Sequence, residues 1–215
     1  MVGAIIMTHG DDNGLVLPPA VAPVQAVIVP IWREDADKAR VFEAVARIRR
    51  DLEAKGIRVE ADLREEYKPG WKYFHWEVRG VPVRIEIGPR DLAAGQAVLV
   101  RRDGSGKETV SLAGLAGKVA ALMPEMQKGI LQKAKDFVQS RTRDAKDYAS
   151  LKAGVEEAPG FYRSGWCGSG TCEAKVKQDT KATLRCMPMD SEAAPGACVV
   201  CGSPAKSMPL FARNY

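Results

Sequence analysis

All five cysteines of this 215-residue chain lie beyond residue 166, and four of them form two short-spaced pairs. Cys167 and Cys172 enclose Gly168, Ser169, Gly170 and Thr171, while Cys198 and Cys201 enclose Val199 and Val200. Two such pairs, separated by a folded excursion, deliver four thiolates to a tetrahedron with little strain. Zinc favours that arrangement, and the glycines tolerate the tight backbone it needs. Four protein ligands close the coordination shell, so a zinc here stabilises the fold and activates no water. The alternative, a pair of disulfides, is disfavoured in a reducing compartment. Cys186, in ATLRCMPM, stands apart beside apolar residues and reads as a small buried side chain.

A second stretch with chemical potential is YKPGWKYFHWEVRG, residues 67 to 80. Tyr67, Trp71, Tyr73, Phe74, His75 and Trp76 alternate there with Lys68, Lys72 and Arg79. Rings stack on unpaired bases and cations meet phosphates, so the pattern suits single-stranded RNA. It equally suits an amphipathic helix with its aromatic rings in a core; about half the rings are expected to be buried and the rest exposed. DGSGKET, residues 103 to 109, contains Gly-Lys but has Arg101 and Glu108 where a phosphate loop needs Gly and Ser or Thr, so it reads as a hairpin turn. His9, in THGDDNG, sits in turn chemistry and carries no catalytic assignment.

The elements that position these residues follow from periodicity. Val24 to Ile31 is an apolar run read as a buried strand. Asp35 is positioned to cap a helix in which Val41, Val45, Ile48 and Leu52 recur at helical spacing until Gly56. IRVEADL gives a second strand, and strand, helix, strand favours a right-handed crossover with a parallel pair. VPVRIEI, residues 81 to 87, alternates as a half-covered strand does. QAVLVRR and KETVSL flank Asp103, Gly104 and Gly106 as a hairpin. Leu115, Val119, Leu122, Met126 and Ile130 form a helical stripe that Pro124 is expected to kink or divide, and KDFVQSRTRDAKDYAS, from Lys135 to Ser150, reads as a solvated connecting helix. The fold class is therefore α/β, a mixed sheet flanked by helices, followed by a small α+β unit held by metal.

A formal charge of +5, from 32 basic and 27 acidic residues, permits a polyanionic partner without requiring one. No apolar run approaches the ~20 residues needed to span a bilayer, and MVGAIIMTHGDDNG lacks the features of a signal peptide, so the chain is expected to be cytoplasmic and free of membrane partners. No nucleophile and base arrangement emerges.

THGDDNGLVLPPAVAPVQAVIVPI, YKPGWKYFHWEVRGVPVRIEIGPRDL, the two cysteine pairs and the terminal LFARNY resemble, in order and over essentially the whole chain, the C-terminal part of prolyl-tRNA synthetase of the archaeal and eukaryotic type. The resemblance implies a remnant of a class II catalytic domain at 1–23, an anticodon-binding domain at 24–135 and a C-terminal zinc-binding domain at 136–215. By motif, Tyr73 and Glu77 in the PGWK segment, Arg90 in GPRD and Lys107 in GKE fall where the family contacts the anticodon. Cys167, Cys172, Cys198 and Cys201 match its zinc ligands, and Tyr215 matches a terminal residue whose carboxylate folds back toward the catalytic domain. The implied partner is tRNA for proline, within a homodimeric full-length enzyme that attaches proline to tRNA using ATP and Mg. The residues that bind ATP and proline lie upstream in this family, so this chain alone is expected to be inactive. A free-standing adaptor for RNA binding or assembly, without catalysis, is the second reading.

Overall fold

The computed structural model describes residues 2–104, 106–189 and 196–213, so the expectation for Tyr215 lies outside the described residues. The chain forms two compact units, Met1–Ala134 and Lys135–Tyr215. The first runs α1 (Val2–His9), β1 (Ala26–Pro30), α2 (Asp35–Glu53), β2 (Val59–Ala61), α3 (Pro69–Val78), β3 (Val83–Ile87), α4 (Pro89–Ala93), β4 (Gln96–Arg101), β5 (Gly106–Ser111) and then α5 (Leu115–Ser140), within which the division between units falls. Its sheet has the order β2-β1-β3-β4-β5, with β1 parallel to both neighbours and β3, β4 and β5 antiparallel in succession.

Alternation along the strands decides which residues enter which layer. Ala26, Ile28, Val83, Ile85 and Ile87 join the stripes of α2 (Val41, Val45, Ile48, Leu52) and α5 (Leu115, Val119, Leu122, Met126) in one core. Val27 and Val29 face the other way and pack with Trp76 of α3 and Val81. Each such fully buried aliphatic side chain contributes about 1.5–3 kcal/mol, so both faces of the sheet hold helices firmly.

Four expectations need correction. The N-cap of α2 is Glu34, without a side-chain cap, and Asp35 lies inside the first turn, where it and Asp37 act on the helix dipole instead. Strand β3 is covered on both faces, by α2 and α5 over Val83, Ile85 and Ile87 and by Tyr73 of α3 over Arg84, and even Glu86 is buried. The helix α5 continues past Pro124 without a second helix starting there; the apolar stripe on either side of the proline is buried, which outweighs a cost of about 3 kcal/mol. Residues 135–150 are not one helix. After Ser140 comes β6 (Thr142–Asp144), parallel to β7 (Phe161–Arg163), and Asp147 then caps α6 (Tyr148–Glu157) by accepting from the Ser150 amide at 2.7 Å.

The second unit continues with α7 (Gly170–Thr180), β8 (Ala182–Cys186) and β9 (Leu210–Arg213), in a sheet of order β6-β7-β9-β8. Leu151, Val155, Tyr162, Val176, Ala182 and Phe211 form its core. Tyr162 lies against Gly154, its hydroxyl 2.5 Å from the Gly154 carbonyl and 2.7 Å from that of Ala158. A Cβ at Gly154 would stand 2.3 Å from Tyr162 Cε1, so Gly154→Ala is expected to cost about 1–3 kcal/mol in the thermal unfolding of this unit.

In the first unit the fully buried Asp62, just beyond β2, is held by Arg64 and Trp76 at its carboxylate and by Lys72 at its backbone carbonyl. Arg64 Nη2 and Nε reach it at 2.6 and 2.8 Å, Trp76 Nε1 donates at 2.8 Å, and the buried Lys72 ammonium donates to the Asp62 carbonyl at 2.9 Å. Burial alone would raise the Asp62 pKa, but the hydrogen bonds from Arg64 and Trp76 and the charge of Lys72 outweigh it and hold the group at about 2. A pKa depressed in the folded state stabilises above the unfolded value, and that contribution is lost as pH falls through the folded value. Asp62→Asn is therefore expected to lower stability by about 3 kcal/mol near neutral pH, measured by urea denaturation with tryptophan fluorescence. About 1–2 kcal/mol of that difference should disappear between roughly pH 4 and pH 2. A difference independent of pH would show that Asp62 does not act through its charge.

Candidate nucleic-acid interface and metal centre

Helix α3 starts at Pro69, whose fixed φ and missing N–H suit the first helical turn. Trp76, tied to Asp62, anchors it to the sheet, and Tyr73 and Glu77, one turn apart, are presented beside that anchor. Tyr73 is half-buried against Val27, Val29, Trp76 and Val81. Its ring carries the Arg84 guanidinium 4.3 Å from its centroid and the Lys107 ammonium at 6.0 Å. Burial and the nearby Glu86 carboxylate push its phenol pKa well up, so the hydroxyl keeps its proton.

Strand register assembles the cationic wall. Arg84 pairs with Val100 on β4, and Val100 with Lys107 on β5, so Arg84 and Lys107 lie in one line across three strands. Between them the buried Glu86 carboxylate accepts from Arg84 at 3.0 Å and lies 3.7 Å from the Lys107 ammonium. Trp76, Glu77, Arg84, Arg101, Arg102 and Lys107 line a cavity of about 250 Å³. Arg101 is fixed by Asp103 and Glu125. Arg102 grips Asp11 with both terminal nitrogens, at 2.7 and 2.5 Å, and donates from Nε to the Glu77 carbonyl at 3.1 Å. These Arg102 hydrogen bonds hold the Asp11 carboxyl at about 2. The turn around Asp11, where a role for His9 was set aside, thus braces an arginine of the cavity.

The Glu77 carboxylate has no hydrogen-bond or ion-pair partner among the described residues, although four cations line the same cavity. An unpaired acceptor among cations and beside a ring suits a base whose amino and imino groups donate while its phosphate meets Arg or Lys.

Tyr73, Glu77 and Lys107 therefore come together, whereas Arg90 does not join them. It stands on α4, in a crevice with Trp32, Arg33, Glu34, Asp37 and Asp91. Arg84 was missed at the level of sequence, although the alternation of VPVRIEI places it on one face with Glu86. Of the aromatic side chains in 67–80, Trp76 is buried and Tyr73 half-buried, while Trp71, Phe74 and Tyr67 are exposed. Tyr67 and Trp71 stack on each other at 3.8 Å with the Arg64 guanidinium beside both.

In the second unit the Sγ atoms of Cys167, Cys172, Cys198 and Cys201 lie within 4.8 Å of one another. Cys167 is 3.7 Å from both Cys172 and Cys201, close to the ~3.8 Å edge of a tetrahedron with metal–sulfur bonds of about 2.3 Å. Cys172 is set by the first turn of α7, which Ser169 caps. Cys198 donates its amide to Ser203 at 2.7 Å and its carbonyl accepts from Gly202, whose φ of +74° closes the turn. Hydrogen bonds from Ser203 hold the Cys201 thiol down at about 6, and burial pushes Cys172 up to about 12. Four convergent sulfurs of this spacing can hold a metal ion. Cys186 is not among them, and it is exposed at the end of β8 rather than buried, because the edge strand leaves it facing solvent.

Among the described residues no helix is long and apolar enough to cross a membrane. Residues 25–122 match the family model for the anticodon binding domain, and residues 148–215 match that for the C-terminal domain of prolyl-tRNA synthetase. The chain is 44% identical over 215 residues to a proline–tRNA ligase 2 of Clostridioides difficile, 47% over 215 residues to a proline–tRNA ligase of Cenarchaeum symbiosum and 46% over 214 residues to one of Rubrobacter xylanophilus. All of this chain is covered in each case, and it spans 44% of the length of each relative. The chain carries an anticodon-binding domain followed by the C-terminal domain of prolyl-tRNA synthetase.

Proposed function

We propose that this chain recognises tRNA for proline through its anticodon, as the tRNA-reading portion of a cytoplasmic, homodimeric proline–tRNA ligase. The observation that carries this reading is the unpaired Glu77 carboxylate in a cavity walled by Arg84, Arg101, Arg102 and Lys107 and flanked by the Tyr73 ring. Tyr73 stacks on a base, Glu77 accepts from the amino and imino edge of an anticodon guanine, and Arg84 and Lys107 meet base edges or phosphate. Glu86 keeps the two cations together without cancelling both. Arg90 contacts the same RNA from its separate crevice. The ATP-dependent attachment of proline belongs to the whole protein, with residues 1–23 as the tail of its catalytic domain, 24–135 as its anticodon-binding domain and 136–215 as its zinc-binding domain.

Glu77→Ala is expected to weaken binding of proline tRNA by about 1–3 kcal/mol in a filter-binding titration, and to erase preference over a tRNA of different anticodon. Glu77→Ala binding both RNAs as the parent chain does would overturn the reading.

Cys167, Cys172, Cys198 and Cys201 hold a structural zinc, which supplies a cross-link for a unit too small for a large core. Protein purified without chelator should contain about one equivalent of zinc, and Cys198→Ser should lose the metal and unfold the second unit first. The first unit has its own core and should keep its transition. Less than about half an equivalent by elemental analysis would refute the site.

A further inference from the structure

Each guanidinium that lines the cavity beside Tyr73 already holds a carboxylate: Arg84 holds Glu86, Arg101 holds Asp103 and Glu125, and Arg102 holds Asp11. Among the described residues lining that cavity Glu77 is the one carboxylate, and it is left over. Opposite charges in a partly buried site pair unless other partners hold them, so the freedom of Glu77 has a cause. Arg84 and Arg101 each find a carboxylate two residues along the chain. Arg102 differs, because its carboxylate comes from 91 residues away. Arg102 is also bonded to Glu77 itself, its Nε donating to the main-chain carbonyl at 3.1 Å. With its side chain only 8% exposed, this guanidinium needs a counter-charge.

The turn that supplies Asp11 is fixed against α3. Asp11 and Gly14 exchange both backbone hydrogen bonds at 3.0 Å, and the Asn13 amide donates to the Asp11 carboxylate at 2.9 Å. Gly14 has a φ of +123°, and a Cβ there would stand 2.6 Å from the Val78 Cα, so glycine lets the turn sit against the last residue of α3. The Leu15 amide then donates to the Val78 carbonyl at 3.0 Å. Asp11 thus reaches Arg102 from a turn docked on the residue that follows Glu77. The hydrogen bonds from Arg102 keep the Asp11 carboxyl at about 2, so the pair stays charged at physiological pH.

We propose that Asp11 is a positioning residue for RNA specificity: by occupying both terminal nitrogens of Arg102 it keeps that guanidinium off the Glu77 carboxylate, which stays open to a base edge. Without Asp11, the best remaining partner for Arg102 is the free carboxylate of the residue whose carbonyl it already touches. Glu77 then accepts from Arg102 rather than from the amino and imino groups of a guanine. Asp11 lies outside residues 25–122, so this control reaches the anticodon-binding domain from the segment in front of it. The inference rests on the reading of Glu77 proposed above.

The test titrates the full chain with a synthetic hairpin carrying the proline anticodon loop, and with the same hairpin in which adenine replaces the anticodon guanines. The ratio of the two affinities is the readout. Asp11→Asn and Asp11→Ser both keep turn chemistry, so either decides the matter if the other fails to fold by circular dichroism. Each is expected to reduce the guanine preference about tenfold. Adding Arg102→Gln should return the preference to within about threefold of the parent's, whatever happens to overall affinity. A merely structural role for Asp11 predicts the opposite, since deleting a second member of the same hydrogen-bonded set only loosens it further. Preference that stays lost in the double variant, or is unchanged in the single ones, overturns the proposal; the anticodon reading then still stands if Glu77→Ala abolishes the preference. Glu77→Ala with the parent's preference would defeat that reading and the role of Asp11 with it.

Discussion

Strand β3 can face only two ways, and it is the middle strand of a sheet covered on both sides. Period-two alternation therefore sends Val83, Ile85 and Ile87 into the core with α2 and α5, and forces Arg84 and Glu86 toward α3. A charge on that side of a middle strand must be compensated, and Arg84 is compensated twice: by Glu86 from its own strand and by the face of Tyr73. The same carboxylate draws in Lys107 from β5, two strands away. A one-residue slip of β3 would bury the charges among the aliphatic side chains and expose the site's apolar half. Core and candidate interface are thus two faces of one constraint.

Asp62 plays the matching role for α3. Its buried carboxylate holds Trp76 directly and Arg64 alongside, and the helix pinned in this way carries Tyr73 and Glu77. The cavity is consequently flanked by a packed ring and an open acceptor: Tyr73 is packed, whereas the Glu77 carboxylate is unengaged among the described residues. In the second unit the core is made of a few large residues such as Tyr162 and Phe211, and four sulfurs converge within 4.8 Å of one another.

Much of this was legible in the sequence because it rests on local pattern. The apolar run before Pro30, the stripe of α2, the hairpin around Gly104 and the two cysteine spacings each follow from residue type and period. The resemblance marked Tyr73, Glu77, Arg90 and Lys107 together. What escaped depends on partners distant in the chain. Residues Thr142–Asp144 have no strand pattern of their own, and become a strand because Phe161–Arg163 offers an edge. Pro124 stays within a helix because burial on both sides overrides it. Cys186 looked apolar by its neighbours but lies on an edge strand. Arg84 read as the solvent side of a half-covered strand, and only the cross-strand register joins it to Lys107. The separation of Arg90 from the other three was hidden because motif order carries no distances.

The most direct test of anticodon reading changes the RNA rather than the protein: the affinity of the chain for proline tRNA and for the same tRNA with its anticodon guanines replaced, each at two salt concentrations. A preference for the intact anticodon that persists at the higher salt is the result the proposed reading predicts, since a base edge held by Glu77 releases no counterion. Equal affinity for the two RNAs, falling together with salt, would contradict it.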